Sequence, residues 1–114
     1  MSIPVSVSQA LKSLMKCKQV PDADLAARLI EHLLNKDKGS TMGELSKELG
    51  ISYPMVLKVV NELESLGVVE TSKVKPSGGR GRAKKLVKLY KPMLSNLVNE
   101  CKSILDVVSN ILKQ

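Results

Sequence analysis

Arg80 and Arg82 alternate with Gly78, Gly79 and Gly81 in a short run that begins at Pro76, and Lys73, Lys75, Lys84, Lys85, Lys88 and Lys91 flank that run on both sides. Residues 72–91 thus hold eight basic side chains and no acid, whereas the chain before them carries eight basic against nine acidic residues and the chain after them two against two. The formal charge of +7 is therefore the charge of this one stretch. Charge concentrated in one place makes a docking surface, whereas evenly spread charge only aids solubility. The glycines permit φ > 0 and close approach of the backbone to a partner. Arginine suits a narrow anionic groove, because its guanidinium is weakly hydrated and meets an enhanced negative potential there. The chemistry expected of these residues is capture of a grooved polyanion.

Bond-making chemistry has little to work with. His32 stands on a helical pattern with no second histidine or cysteine pair at ligand spacing, so no metal site is expected. The glycine run does not follow a strand and open a helix, as nucleotide-binding glycine loops do. No nucleophile, base and orienting group recur at usable spacing, so no catalytic residue, no enzyme activity and no cofactor are expected. Cys17 and Cys101 both fall at apolar positions of helical patterns, and one pair lacks the density of a secreted disulfide framework, so packed free thiols are expected. With no signal peptide and no apolar run of membrane-spanning length, the expectation is a soluble cytoplasmic protein, associated with the chromosome if its polyanion is DNA, and no membrane partner.

The elements that must position the basic run can be read in order. A chain of 114 residues, 43% apolar but without Phe or Trp, allows one domain with an aliphatic core plus an appended element. Ser6 or Ser8 can open a first helix through Leu11, Leu14 and Met15, ending before Pro21, and a second runs from about Pro21 to Asn35. Thr41 and Glu44 have capping-box spacing for a third helix through Leu45 and Leu49. Gly50 fits the left-handed position that ends it, and Ser52 offers the next N-cap at once, which makes a helix-turn-helix. The helix after Ser52 presents Val56, Val59, Val60, Leu63 and Leu66 inward and stops at Gly67. Residues 68–74 and 86–90 read as strands joined by the basic glycine loop. The fold class expected is mainly α with a small β-hairpin: a winged helix-turn-helix with the basic loop as its wing.

From Pro92 onward, Leu94, Leu97, Cys101, Ile104, Val108 and Ile111 follow a heptad spacing, with Val98, Leu105 and Leu112 widening the stripe. A helix this long exceeds what a small domain can cover, so Leu94, Leu97, Cys101, Ile104, Leu105, Val108 and Ile111 are expected at a homodimer interface. Parallel and antiparallel arrangements both stay open; the antiparallel one sets two heads at opposite ends. The organisation expected is an N-terminal helix over 1–20 that packs at the dimer interface, a winged helix over 21–91 and a C-terminal coiled-coil dimerisation helix over 92–114.

In a helix-turn-helix the second helix enters the major groove. Its exposed candidates are Ser52, Tyr53, Pro54, Leu57, Lys58 and Asn61. Lys58 can donate to guanine or hold a phosphate, Asn61 can pair with an adenine edge, and Pro54 or Leu57 can touch a thymine methyl. Tyr53 suits a phosphate or sugar. The wing candidates are Lys73, Lys75, Arg80, Arg82, Lys84, Lys85 and Lys88, with the arginines in the minor groove and the stem lysines on flanking phosphates.

Residues 50–69 followed by the Gly-Arg-Gly-Arg wing resemble the winged-helix regulators of the multiple-antibiotic-resistance and arsenical-resistance classes. Size, wing and long C-terminal helix are similar to the small archaeal regulators related to the leucine-responsive regulator. That resemblance, covering about residues 23–114, implies a homodimer that binds double-stranded DNA and acts in transcription or chromosome organisation. It places Ser52, Tyr53, Pro54 and Lys58 at major-groove positions and Arg80 and Arg82 at the wing tip; Pro54 and Leu57 depart from the usual polar choices. Three readings follow: a site-specific transcription regulator, an architectural protein that coats DNA with little sequence preference, and a winged helix used for protein contacts alone. The two tyrosines do not make a stacking platform for single-stranded RNA. Operator, sign of regulation and any small-molecule effector are not specified by the residues.

Overall fold

The computed structural model describes residues 6–74 and 84–113. In chain order the elements are α1 (Val7–Cys17), α2 (Ala23–Leu34), β1 (Ser40–Thr41), α3 (Met42–Leu49), α4 (Tyr53–Ser65), β2 (Val69–Val74), β3 (Lys84–Leu89) and α5 (Lys91–Leu112). Helices α1 to α4 each begin where a side chain accepts from a free amide of the first turn, whereas α5 has Pro92 in its first turn and no side-chain cap. Ser6 opens α1 with a full capping box: the Gln9 amide donates to Ser6 Oγ at 3.1 Å and the Ser6 amide to Gln9 Oε1 at 3.4 Å. Asp22 accepts from the Leu25 amide at 3.3 Å, so α2 starts after Asp22 and Pro21 stays outside it. Thr41 caps α3 by accepting from the Glu44 amide at 3.2 Å, but the Glu44 carboxylate takes the Thr41 hydroxyl and not the cap amide, leaving the expected capping box half made.

The sheet is antiparallel with strand order β1-β3-β2. β2 and β3 form the expected hairpin, in register from Val69 opposite Leu89 to Val74 opposite Lys84. β1 was not expected: two residues are too short to show a period. Ser40 pairs with Val87 and Thr41 with Leu86 because Gly39 lets the chain pass against β3. At its φ of 84° a Cβ on Gly39 would lie 2.5 Å from the Val87 carbonyl oxygen, so only glycine fits.

The core is aliphatic, as the composition requires. Met15 of α1, Leu29 and Ile30 of α2, Met42 and Leu45 of α3, Val56, Val59, Val60 and Leu63 of α4, and Val68, Val69 and Val87 of the hairpin are all fully enclosed. α5 leaves this body. Leu97 and Cys101 are buried within the chain and Met93 and Leu94 pack against the core, whereas every described residue after Cys101 is exposed. The radius of gyration is 16.5 Å and the long axis 65 Å, against a radius of about 13 Å for a compact chain of this length. A helix of 22 residues projecting beyond the body accounts for the difference.

Two expectations are corrected here. Cys17 and Cys101 are not free thiols: they form a disulfide that joins the last turn of α1 to the third turn of α5. The density argument fails because it counts cysteines without placing them. The fold brings these two Cα atoms to 6.2 Å, inside the window for bonding. For the same reason Leu97 and Cys101, expected at a dimer seam, are buried against their own chain. The heptad stripe is shared, its first turns going to the core and its later turns to solvent.

Candidate nucleic-acid interface

The helix-turn-helix is held by short local contacts. Gly50 ends α3 in the left-handed conformation, φ 66°, and nothing approaches its open side. The Ser46 hydroxyl donates to the Ile51 carbonyl at 2.6 Å, and the Ile51 amide to the Ser46 carbonyl at 3.1 Å. From α2, the Arg28 guanidinium donates to the Leu49 carbonyl at 3.0 Å, filling an acceptor that the end of α3 leaves free. Ser52 then caps α4, accepting from the Met55 amide at 3.4 Å, and Pro54 sits in the first turn where its missing donor costs nothing.

With Val56, Val59, Val60 and Leu63 inward, the helical period turns Tyr53, Pro54, Leu57, Lys58 and Asn61 outward on one face, and all five are exposed. The sequence-expected recognition residues therefore share a surface with Ser52. Met55, also exposed on this first turn, was not among them.

The wing stem extends this surface on one side. Val69, Thr71 and Lys73 of β2 share a sheet face with Leu89, Val87 and Lys85 of β3. The valines of this face are buried, and toward the wing the same face becomes lysine: Lys73 stands directly opposite Lys85. Like charges in that position repel, and an anion between them removes the cost. Lys84 and Lys85 line a cleft of about 680 Å³ together with Thr41, Met42, Gly43, Glu44 and Lys47 of the β1–α3 segment and Tyr53 of α4. Three lysines against one glutamate give the cleft a positive balance. The first turn of α3 adds the positive end of a helix, bare of side chain at Gly43. Ion pairs within 4.0 Å among the described residues are Lys12 with Asp24 and Lys18 with Glu100, so Lys47, Lys58, Lys73, Lys84 and Lys85 are left uncompensated at that range. Lys47 and Gly43 escaped the sequence reading because β1, which sets α3 beside β3, is invisible in the sequence.

Lys88 is not in this cleft. It pairs in register with Glu70 and lines, with Lys36, Asp37 and Lys91, a separate hollow of about 260 Å³. Lys75, Arg80 and Arg82 lie outside the described residues. Among the described residues no group of three His, Cys, Asp or Glu side chains is placed to hold a metal ion, and no helix is long and apolar enough to cross a membrane. His32 is half-buried in the last turn of α2 with its Nε2 enclosed and unpartnered.

A helix-turn-helix followed by a basic two-stranded wing defines the winged-helix class of DNA-binding transcription regulators. The chain belongs to the TrmB family, described as sugar-specific transcriptional regulators, whose model matches residues 26–96. No curated protein sequence matches it. Among solved structures, a possible transcriptional regulator from Methanosarcina mazei is similar over 99% of this chain and 93% of its own, with a TM-score of 0.68 at 18% identity. A transcriptional regulator homologue from Pyrococcus horikoshii is similar over 91% of this chain and 97% of its own, with a TM-score of 0.56 at 20% identity. A mutant of S. aureus MepR bound to an oligodeoxyribonucleotide is similar over 93% of this chain and 72% of its own, with a TM-score of 0.52 at 19% identity. These likenesses establish the fold; family membership establishes a transcription regulator.

Proposed function

We propose that the protein is a homodimeric regulator that binds double-stranded DNA, with α4 in the major groove, the wing in the adjacent minor groove and the α3–β3 cleft on a phosphate of the intervening backbone. The observation that carries this reading is the run of uncompensated lysines, Lys47, Lys84 and Lys85, converging beside Tyr53 on the exposed face of α4. Phosphate contacts fix register on the duplex, and the side chains of α4 then meet base edges. Within that frame Lys58 and Asn61 are the base readers, Tyr53 and Ser52 contact sugar or phosphate, and Arg80 and Arg82 enter the minor groove. Work on DNA places the protein in the cytoplasm on the chromosome. A relation to the small archaeal regulators akin to the leucine-responsive regulator is proposed on size, wing sequence and long C-terminal helix, beside the TrmB family assignment.

The dimer is supported by α5. Val98, Ile104, Leu105, Val107, Val108, Ile111 and Leu112 are each 47–79% exposed. Taken together they equal about four fully exposed side chains, or roughly 400 Å² of apolar surface at about 100 Å² each. A standard interface buries about 800 Å² per partner, a little over half of it apolar. The stripe therefore has the area one protomer needs to pair with a second copy. Residues 21–91 then form the DNA-binding unit and 92–114 the dimerisation element, with successive major grooves about 34–36 Å apart as the expected half-site spacing.

Pro54, Met55 and Leu57 on the exposed face of α4 favour a second reading, an architectural protein that covers DNA with little sequence preference. Gel-shift titration on a pool of random duplex DNA at two salt concentrations, with sequencing of the retained fraction, separates the two. An enriched two-fold motif establishes a site-specific regulator. Salt-sensitive binding without a motif establishes the architectural role, and no binding at low salt rejects both.

A further inference from the structure

The Cys17–Cys101 bond is the last attachment of α5 to the body. Cys101 is the final buried residue of α5, and all described residues beyond it are exposed. Among the described residues the joint has one other polar tie, the Lys18 ammonium on the Glu100 carboxylate at 2.6 Å. Its side chains are 27% and 55% exposed, so solvent screens it and it contributes little holding power by itself. With the disulfide open, the last firm hold on the helix retreats to Leu97, a turn nearer its root.

The bond is also reachable. Cys17 is exposed, and both cysteines border an apolar groove of about 540 Å³ between α1 and α5, shared with Leu14, Val98 and Leu105. A structural staple would sit away from solvent, whereas exposed disulfides are the labile ones. A protein that works on DNA shares its compartment with the dithiol reductants of the cell interior, where disulfides are transient unless the host is a hyperthermophile.

We propose that the Cys17–Cys101 bond is a thiol-exchange site for a thioredoxin-class dithiol, and that opening it releases α5 beyond Leu97 and so loosens the spacing between two DNA-binding heads. The second clause rests on the dimeric DNA-binding reading above; the first draws on it only for the compartment that supplies the reductant. One thiolate of the reductant attacks Cys17 Sγ, forming a mixed disulfide and expelling the Cys101 sulfur, which takes up a proton. The second thiol of the reductant attacks the mixed disulfide, releasing Cys17 as a thiol. The protein gains two electrons and two protons, and the reductant leaves as its own disulfide.

Three readouts test this on the full-length protein. A thioredoxin lacking its resolving cysteine should become trapped on Cys17, located by mass spectrometry of the peptide. At short labelling times, which read local opening and not global unfolding, amide exchange in α5 after Cys101 should accelerate about tenfold on reduction, with α3 and α4 unchanged. The Cys17→Ser, Cys101→Ser double variant should exchange at the reduced rate, and reversible reduction of the wild type decides the matter if that variant does not fold. A bond that resists excess dithiothreitol in the native protein, or that opens without changing exchange in α5, overturns the proposal and leaves a structural staple. On DNA, reduction should weaken binding to a random duplex of about 30 bp by about tenfold and leave a duplex of roughly 10 bp, which holds one head, unaffected. Equal weakening on both duplexes overturns the spacing clause. Failure of the oxidised protein to bind either duplex rejects the DNA-binding reading, while trapping and exchange still decide the thiol-exchange clause.

Discussion

Removing the charges of Lys84 and Lys85 by a double substitution to alanine should change the salt dependence of DNA binding by an amount the structure sets in advance. Both side chains line the α3–β3 cleft and neither has a carboxylate within 4.0 Å among the described residues, so each is free to hold a phosphate. If about six phosphates are neutralised per head, log K falls with log salt at a slope near −5.4, and losing two contacts brings the slope to about −3.6. Between 50 and 200 mM salt the wild-type head should then weaken by roughly 2,000-fold and the variant by roughly 150-fold. Fluorescence anisotropy on a labelled duplex of about one helical turn, titrated at four salt concentrations, reads both slopes. The substitution carries its own control for misfolding. Lys85 stands opposite Lys73 in register, and relieving that like-charge pair should leave the melting temperature unchanged or raise it, by about 0.2–1 kcal/mol of stability. A variant that binds less tightly with the wild-type slope would refute the argument, because its lysines would then act on something other than phosphates. Unaltered affinity would remove the cleft from the interface altogether.

Gly39→Ala should destabilise more than Gly50→Ala in thermal melts. Both glycines have positive φ, costing an alanine about 1–2 kcal/mol, but the new Cβ at position 39 also meets the Val87 carbonyl at 2.5 Å while that at position 50 meets nothing. Ile104→Glu should give a monomer in sedimentation with an unaltered melting profile at low concentration, since the residue is exposed in the single chain and a carboxylate in the seam costs several kcal/mol; a monomeric wild type would reject the dimer. Loss of the disulfide in the double serine variant removes a cross-link between residues 84 apart, for which loop-closure entropy gives about 4.6 kcal/mol in denaturant unfolding; a loss near zero would place the benefit elsewhere.

How much of this was legible in the sequence depended on whether a feature was local. The caps at Thr41 and Ser52, the left-handed Gly50 and the inward stripe of α4 are all set within a few residues of themselves, and the helix-turn-helix follows from them. The hairpin was legible too, because β-branched residues bracket a glycine loop. What failed was everything decided by a long-range meeting. β1 exists only because Gly39 admits a strand against β3, and without β1 nothing in the chain says that Lys47 of α3 will face Lys84 and Lys85. The two cysteines read as apolar spacers because each fits its own helix; only the docking of α1 beside α5 makes them partners.

That same docking alters what the heptad stripe means. Read as a sequence, Leu94 to Ile111 is one seam with one purpose. In the fold, Leu97 and Cys101 belong to the body and Ile104, Leu105, Val108 and Ile111 do not, with the disulfide at the division between them. A helix divided in this way has a rooted half and a free half, and the stiffness of the joint governs how well a partner's head is held in register. Two half-sites on a duplex tolerate little variation in spacing, since a displacement along the helix also rotates the contact out of its groove. The covalent tie therefore lies where a small change in freedom has the largest effect on bivalent binding, although it is distant in sequence from every residue proposed to touch DNA.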